Sequence, residues 1–144
     1  MLYAAYGSNL NKDQMAWRCP GAKEAGVAVI KDYRLMFKGS RSGAYLTIEK
    51  EKGCEVPIGV WEVTDKDITN LDRYEGFPNF YYKKLFTVEL NGKRRRVFAY
   101  IMHENREIAI PNDYYVEVCR QGYSDFDFDT DTLTEALEYS RRSA

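Results

Sequence analysis

The segment Tyr3 to Leu10, YAAYGSNL, constrains the fold more than any other part of the chain. A short apolar run ends in a Tyr-Gly-Ser-Asn turn, and a polar stretch with helical spacing, NKDQMAWR, follows directly. A strand, a tight loop and a helix start are therefore packed into one short span. Gly7 permits backbone angles that a side chain would forbid. Ser8 and Asn9 carry short polar side chains suited to turns and caps, and Asn11 with Gln14 gives a cap for the first helix. Successive backbone N–H groups in such a loop converge on an anion or on a polarised carbonyl oxygen. A Gly-Ser-Asn tripeptide is equally an ordinary strand-to-helix turn, so the functional reading depends on a second feature.

That feature is ITNLDRYEGF, Ile68 to Phe77. Thr64 and Asp67 have the spacing of a capping box, which predicts a helix start. Gly76 fits the left-handed position that ends helices, and Pro78 prevents continuation. Ile68, Leu71 and Glu75 fall at i, i+3 and i+7, on one face, whereas Lys66, Asp72 and Arg73 point elsewhere. A carboxylate on the apolar face of a short helix is costly unless paired or protonated. Burial and the negative end of the helix dipole both raise its pKa, from about 4.3 toward the range of about 6–7 that suits a general acid–base. The alternative is a Glu that reaches the surface at a frayed last turn or meets an Arg.

Strand patterning marks Leu2–Ala5, Val27–Ile30, Tyr33–Lys38, Ala44–Glu49, Val56–Val63, Tyr81–Leu90 and Arg94–Met102, with Asn91-Gly92 as a hairpin turn between the last two. Helices are predicted after Asn11, over Asp65–Glu75, over about Asn112–Arg120 and from a Thr132/Glu135 capping box to Arg141-Arg142. The third would place Tyr115, Val118, Cys119 and Gly122 on one face. Strands in the middle and helices at the ends make the class α+β, and the 144 residues read as one domain with no linker or repeat. A chain of this length buries about two-thirds of its unfolded surface.

Charge and composition exclude several functions. With 21 basic and 22 acidic side chains the net charge is −1, so no global field recruits nucleic acid or an acidic membrane. The basic run Lys93–Val97 alternates along a strand and reads as a solvated hairpin. Asp125–Thr132, DFDFDTDT, suggests a calcium loop but has Thr130 and Ala136 where the Gly and Glu of such a loop belong, and no metal is expected. Lys38–Gly43 is a charged Gly/Ser turn without the spacing of a phosphate loop. No apolar run reaches membrane-spanning length, and MLYAAYG lacks the basic region and apolar core of a signal peptide. Cys19, Cys54 and Cys119 are odd in number and widely spaced, as in a reduced, cytoplasmic protein, and the single histidine, His103, offers little basis for a Cys–His pair. Twelve tyrosines supply apolar bodies with polar tips; some would line a half-wet cavity, while most are expected to be ordinary sheet residues.

Taken in order, Tyr6-Gly7-Ser8-Asn9-Leu10 and Leu71-Asp72-Arg73-Tyr74-Glu75-Gly76 resemble the γ-glutamylcyclotransferase-like family, which includes the AIG2-like proteins. Pro111, Tyr115 and Gly122 match a looser late Pro-x-x-x-Tyr segment of that family, and AYLTIEKEKGCEVPIGVWEV resembles its paired strands. The resemblance spans roughly residues 1 to 124. It implies a small closed mixed β-barrel flanked by helices, with a cavity at one mouth. It also implies an intramolecular reaction that needs no cofactor: the α-amine of a γ-glutamyl compound attacks the γ-amide, giving 5-oxoproline and a free amine. Glu75 would move the protons. Tyr3, Ala4, Ala5, Tyr6, Gly7, Ser8, Asn9 and Tyr115 would bind the substrate, with the loop N–H groups holding either the oxyanion or the α-carboxylate. The implied partner is a small γ-glutamyl molecule. Related alternatives are a different leaving group, such as a lysine side-chain amine or a carrier-bound chain, and a non-enzymatic binding module. The leaving group would be selected by rims at Ile108–Asn112 and Gly76–Tyr82.

Overall fold

The computed structural model describes residues 1–40 and 43–144. Arg41 and Ser42, the centre of the expected Lys38–Gly43 turn, lie outside the described residues. In chain order the elements are β1 (Leu2–Ala5), a 3-10 turn (Ser8–Leu10), α1 (Lys12–Arg18), β2 (Lys23–Ser40), β3 (Gly43–Glu62), α2 (Asp65–Glu75), β4 (Tyr81–Leu90), β5 (Lys93–Met102), β6 (Glu107–Ile108), α3 (Asp113–Asp125) and α4 (Asp131–Ser143).

The six strands form one mixed sheet in the order β4-β5-β1-β3-β2-β6. β1 lies at its centre, parallel to β5 through Tyr3 and Phe98 and antiparallel to β3 through the pairs Leu2–Glu62 to Ala5–Gly59. The sheet curls into a half-barrel. Across the curl the Tyr81 hydroxyl donates to the Leu46 carbonyl at 2.8 Å, and the Met102 N–H donates to Thr47 Oγ1 at 2.9 Å. Phe37, Leu46, Ile48, Val56, Ile58, Val60, Ala99 and Ile101 fill the core.

Sequence patterning breaks β2 and β3 into four short strands, but the structure joins them into two long ones. The break falls at an irregularity: Lys31 pairs with Glu55 and Tyr33 with Lys50, so Glu51–Cys54 bulge out of register. Asp32 (φ 61°) and Gly53 (φ 87°) make the corner, and the Gly53 N–H donates to Asp32 Oδ1 at 3.0 Å. Turn residues that look like a chain reversal are here a bulge in a continuing hairpin. The Asn91-Gly92 turn forms as expected, with positive φ at both residues. Lys93 to Arg96 are all exposed, whereas Val97 to Met102 of the same strand are buried.

The helix ends follow the side chains. Asn11 accepts from the Gln14 N–H at 3.0 Å. The Thr64–Asp67 capping box is complete, and Gly76 closes α2 at φ 65°. α3 runs five residues beyond the expected Arg120. It buries Val116, Cys119, Gly122 and Tyr123, leaving Val118 only half-buried. α4 starts earlier than expected: Thr130 is its N-cap, and Asp129 Oδ1 takes the Asp131 N–H at 2.8 Å, so the Thr132–Glu135 box is not made. Asp125 is likewise used as a cap, accepting from the Lys12 N–H at 3.0 Å and from Gln121 Nε2 at 2.9 Å. No helix among the described residues is long and apolar enough to cross a membrane.

Candidate active site

The loop after β1 is fixed from several sides. Gly7 O accepts the Leu10 N–H and Ser8 O the Asn11 N–H, both at 3.0 Å, which winds Ser8–Leu10 into a 3-10 turn. Trp61 Nε1 donates to Asn9 O at 3.0 Å, and Asn9 Nδ2 donates to the Tyr3 hydroxyl at 2.9 Å. The Asn9 side-chain oxygen accepts from the Arg18 guanidinium, which also lies over the Tyr74 ring, 3.4 Å from its centroid. Ser8 Oγ and the Tyr74 hydroxyl share a hydrogen bond of 3.1 Å. The N–H groups of Gly7, Ser8 and Asn9 have no backbone acceptor among the described residues and remain as donors.

Gly7 has φ −128° and ψ −128°, outside both the helical and the extended regions, and its surroundings are close. A Cβ there would lie 3.4 Å from Leu46 and 3.5 Å from the Tyr115 hydroxyl, which leaves room for a methyl and nothing larger on that side.

Beside this loop opens a cavity of about 430 Å³, bounded by Tyr3, Tyr6 and the Gly7–Asn9 loop on one side and by the end of α2, including Glu75, on another. Of the expected site residues, the structure brings Tyr3, Tyr6, Gly7, Ser8, Asn9, Glu75 and Tyr115 to one cavity. Ala4 and Ala5 do not reach it; both are buried in β1 as sheet core. Ile108–Asn112 also stays away, whereas Gly76, Phe80 and Tyr81 of the other expected rim line the cavity.

Sequence reasoning missed most of the wall. Tyr45, Tyr74, Tyr81 and Tyr100 join Tyr3, Tyr6 and Tyr115, so seven of the twelve tyrosines face the cavity rather than serving as ordinary sheet residues. Their spread over four strands, two helices and a loop gives no shared spacing in the sequence. Their polar tips are mostly engaged. The Tyr6 hydroxyl donates to the Tyr100 carbonyl, the Tyr100 hydroxyl to Asp72 Oδ1 at 2.6 Å, and Asp72 also pairs with Lys83 at 2.9 Å. Burial, with the charge of Glu75 next, raises Tyr3, Tyr6 and Tyr81 well above the usual phenol range, so they remain neutral donors.

Glu75 is half-buried at the last residue of α2 and makes no ion pair or side-chain hydrogen bond among the described residues. Burial pushes its carboxyl up to about 8, against a smaller opposing pull from Arg18. This exceeds the range of about 6–7 expected from the helix alone, because the tyrosine-lined wall removes more water than Ile68 and Leu71 could. Among the described residues no three His, Cys, Asp or Glu side chains gather as metal ligands. An unpaired carboxyl that exchanges a proton near neutrality, in one cavity with a loop whose N–H groups have no backbone acceptor among the described residues, suits proton transfer at an acyl centre.

Known proteins match this chain in sequence and in fold. A family profile described as "Gamma-glutamyl cyclotransferase, AIG2-like" matches residues 3–117. The human protein named γ-glutamylcyclotransferase is 33% identical over 132 residues, spanning 84% of this chain and 69% of that protein. Its mouse counterpart is 35% identical over 132 residues with the same coverage. A solved structure described as "Gamma-glutamyl cyclotransferase" superposes with a TM-score of 0.80 at 27% identity, covering 100% of this chain and 88% of that one.

Proposed function

The chain belongs to the γ-glutamyl cyclotransferase, AIG2-like family, and from that premise we propose that it converts a γ-glutamyl compound into 5-oxoproline and a free amine, with residues 1–144 acting as one domain. The observation that carries the mechanism is Glu75: unpaired, on the cavity wall, and pushed up to about 8. A peptide α-ammonium titrates at about 8, and the substrate's, beside its own carboxylate, somewhat higher. Proton transfer to Glu75 is then only modestly uphill, a condition under which one group can both take and return a proton.

Glu75 as carboxylate accepts a proton from the α-ammonium. The freed nitrogen attacks the γ-carbonyl carbon, a C–N bond closes the five-membered ring, and the carbonyl oxygen takes up negative charge. The N–H groups of Gly7, Ser8 and Asn9 are the donors for that oxyanion or for the α-carboxylate. Glu75 then gives its proton to the departing nitrogen as the original amide bond breaks, and takes the second proton from the ring nitrogen; that proton passes to the released amine, which leaves as an ammonium. Both reacting groups belong to one molecule, so most of the rate gain comes from folding the substrate into its ring-closing pose. Aromatic walls suit that task because they restrict the ligand without competing for its polar groups.

A pure binding module would derive no benefit from a desolvated, unpaired carboxyl, which costs stability when ionised. The absence of disulfides among Cys19, Cys54 and Cys119 supports a reducing, cytoplasmic setting. The test is to incubate the protein with γ-glutamyl amino acids, γ-glutamyl amines and glutathione and to quantify 5-oxoproline. Release from at least one of them is expected, and release from none would reject the reading.

A further inference from the structure

The cavity has two chemically different walls. Glu75, the Gly7–Asn9 loop and Tyr3 provide the reacting side. The aromatic wall beside it is Tyr45, Leu46, Phe80, Tyr81 and Tyr115; it adjoins the loop where a Cβ on Gly7 would meet Leu46 and Tyr115, and Tyr81 feels the charge of Glu75. Its four rings form a continuous edge-to-face array. Tyr115 and Tyr45 lie 5.2 Å apart at 89°, Tyr45 and Phe80 6.2 Å apart at 87°, and Phe80 and Tyr81 5.2 Å apart at 68°.

Two of the three hydroxyls of this array, those of Tyr81 and Tyr115, are occupied by the backbone. The Tyr81 hydroxyl donates to the Leu46 carbonyl at 2.8 Å, and the Tyr115 hydroxyl accepts the Leu46 N–H at 3.1 Å. Leu46 is thus clamped on both sides of its backbone, and Tyr81 and Phe80 present ring surface. Among the described lining residues the charged ones are Glu75 and Arg73, both on α2; the aromatic wall carries none. The array is also held from behind. The Arg106 guanidinium lies over Phe80, 4.6 Å from its centroid, and the Phe80 carbonyl accepts the His103 N–H at 3.2 Å. Phe80 is therefore set in place before a ligand arrives.

Resting on the cyclotransferase reading above, we infer that Tyr45, Phe80 and Tyr81 form the subsite for the departing amine, and that this subsite selects amines carrying an uncharged apolar group, above all an aromatic one. A ring there adds to the edge-to-face array. An anionic side chain would lose water against the rings with no partner. A cation could use the ring faces, but it would sit across Phe80 from the like charge of Arg106.

The experiment compares γ-glutamyl-phenylalanine, γ-glutamyl-alanine, γ-glutamyl-glutamate and ε-(γ-glutamyl)-lysine in two ways: 5-oxoproline formation by the native protein, and calorimetric binding to Glu75→Gln. The phenylalanine conjugate is expected to exceed each of the others by at least about tenfold in kcat/KM, the scale of discrimination that an apolar pocket supplies. It should also bind Glu75→Gln most tightly. Phe80→Ala is expected to bring the phenylalanine-to-alanine ratio close to one, and Phe80→Leu to recover part of it. Equal or better use of the glutamate or lysine conjugate by the native protein would overturn the subsite while leaving the cyclotransferase reading intact. No 5-oxoproline from any conjugate, with the same order of binding, would reject that reading and keep the subsite. A flat binding series would reject the subsite whatever the turnover.

Discussion

A single carboxyl, Glu75, owes its properties to surroundings built by residues far from it in sequence. Tyr3 and Tyr6 come from the first strand and its loop, Tyr81 and Tyr100 from the β4–β5 hairpin; burial raises all four above the usual phenol range, with the charge of Glu75 next for Tyr3, Tyr6 and Tyr81 and the hydrogen bond and charge of Asp72 next for Tyr100. If this carboxyl carries the protons, Glu75→Gln should keep the fold and the affinity for substrate while kcat falls by about 10²-fold or more, the loss typical of a general acid–base. Steady-state kinetics beside calorimetry decide it, since parental turnover in the Gln variant would make Glu75 structural. Gly7 allows a graded test of the opposite wall. A Cβ there would meet Leu46 at 3.4 Å, so the space admits one methyl, and Gly7→Ala should keep part of the substrate affinity. Gly7→Val adds branches that must enter Leu46, Tyr115 or the cavity, and binding should be lost. Two variants with equal affinity would place the ligand elsewhere.

At the scale of elements, the site depends on α3 pressing against the chain that follows the loop. Gly122 makes this approach possible: a Cβ there would sit 2.6 Å from Asn11 N and 2.8 Å from Leu10, distances that backbone atoms cannot yield to cheaply. The contact is secured by Asn11 Nδ2 donating to Val118 O at 3.1 Å and by the Lys12 N–H donating to Asp125. Gly122→Ala should therefore destabilise the protein by about 1–3 kcal/mol, as overpacking does, despite the better helix propensity of Ala. It should also raise KM, because Tyr115 sits two turns earlier on the same helix. Denaturant melts and kinetics on the same preparation test both parts, and unchanged stability would show that α3 is not fixed by this contact. The local signals in the sequence performed well where a side chain acts on its own backbone: the Asn11 cap, the Thr64–Asp67 box, Gly76 and Asn91-Gly92 all form. They failed where a distant partner decides. Asp32 and Gly53 turn a corner inside one hairpin because they meet each other across it. The Thr132–Glu135 box fails for a local reason instead: the helix already starts after Thr130, where Asp129 Oδ1 takes the Asp131 N–H.

At the scale of the whole molecule, the reacting centre was legible and its enclosure was not. The YGSNL loop and the Glu75 helix end are each contiguous, and a carboxylate on an apolar face is visible from spacing alone. The tyrosine walls are assembled by the curl of the sheet, which brings Tyr45, Tyr81 and Tyr100 together from three strands. Composition signalled an excess of tyrosine without saying where it would gather. That enclosure sets the pH behaviour of the protein. Activity should rise from about pH 6 to about pH 8, as Glu75 becomes able to accept a proton and the substrate ammonium to release one. Stability should run the other way for this group. In the unfolded chain Glu75 ionises near its ordinary value of 4.5, and in the folded chain near 8. Below the lower value both states hold the proton, and the advantage of the neutral buried form is complete. Between the two values the unfolded chain releases its proton first, so the contribution of Glu75 drains away and is lost once the pH passes the folded value. Glu75→Gln has no such loss. Its melting temperature relative to the parent should therefore climb from about pH 4.5 to about pH 8.5, with the variant the more stable protein at the upper end. Thermal melts of both proteins across that range check the sign. A constant difference, together with flat parental activity from about pH 5 to about pH 8, would mean that Glu75 titrates as an exposed carboxylate and that the tyrosine walls do not desolvate it.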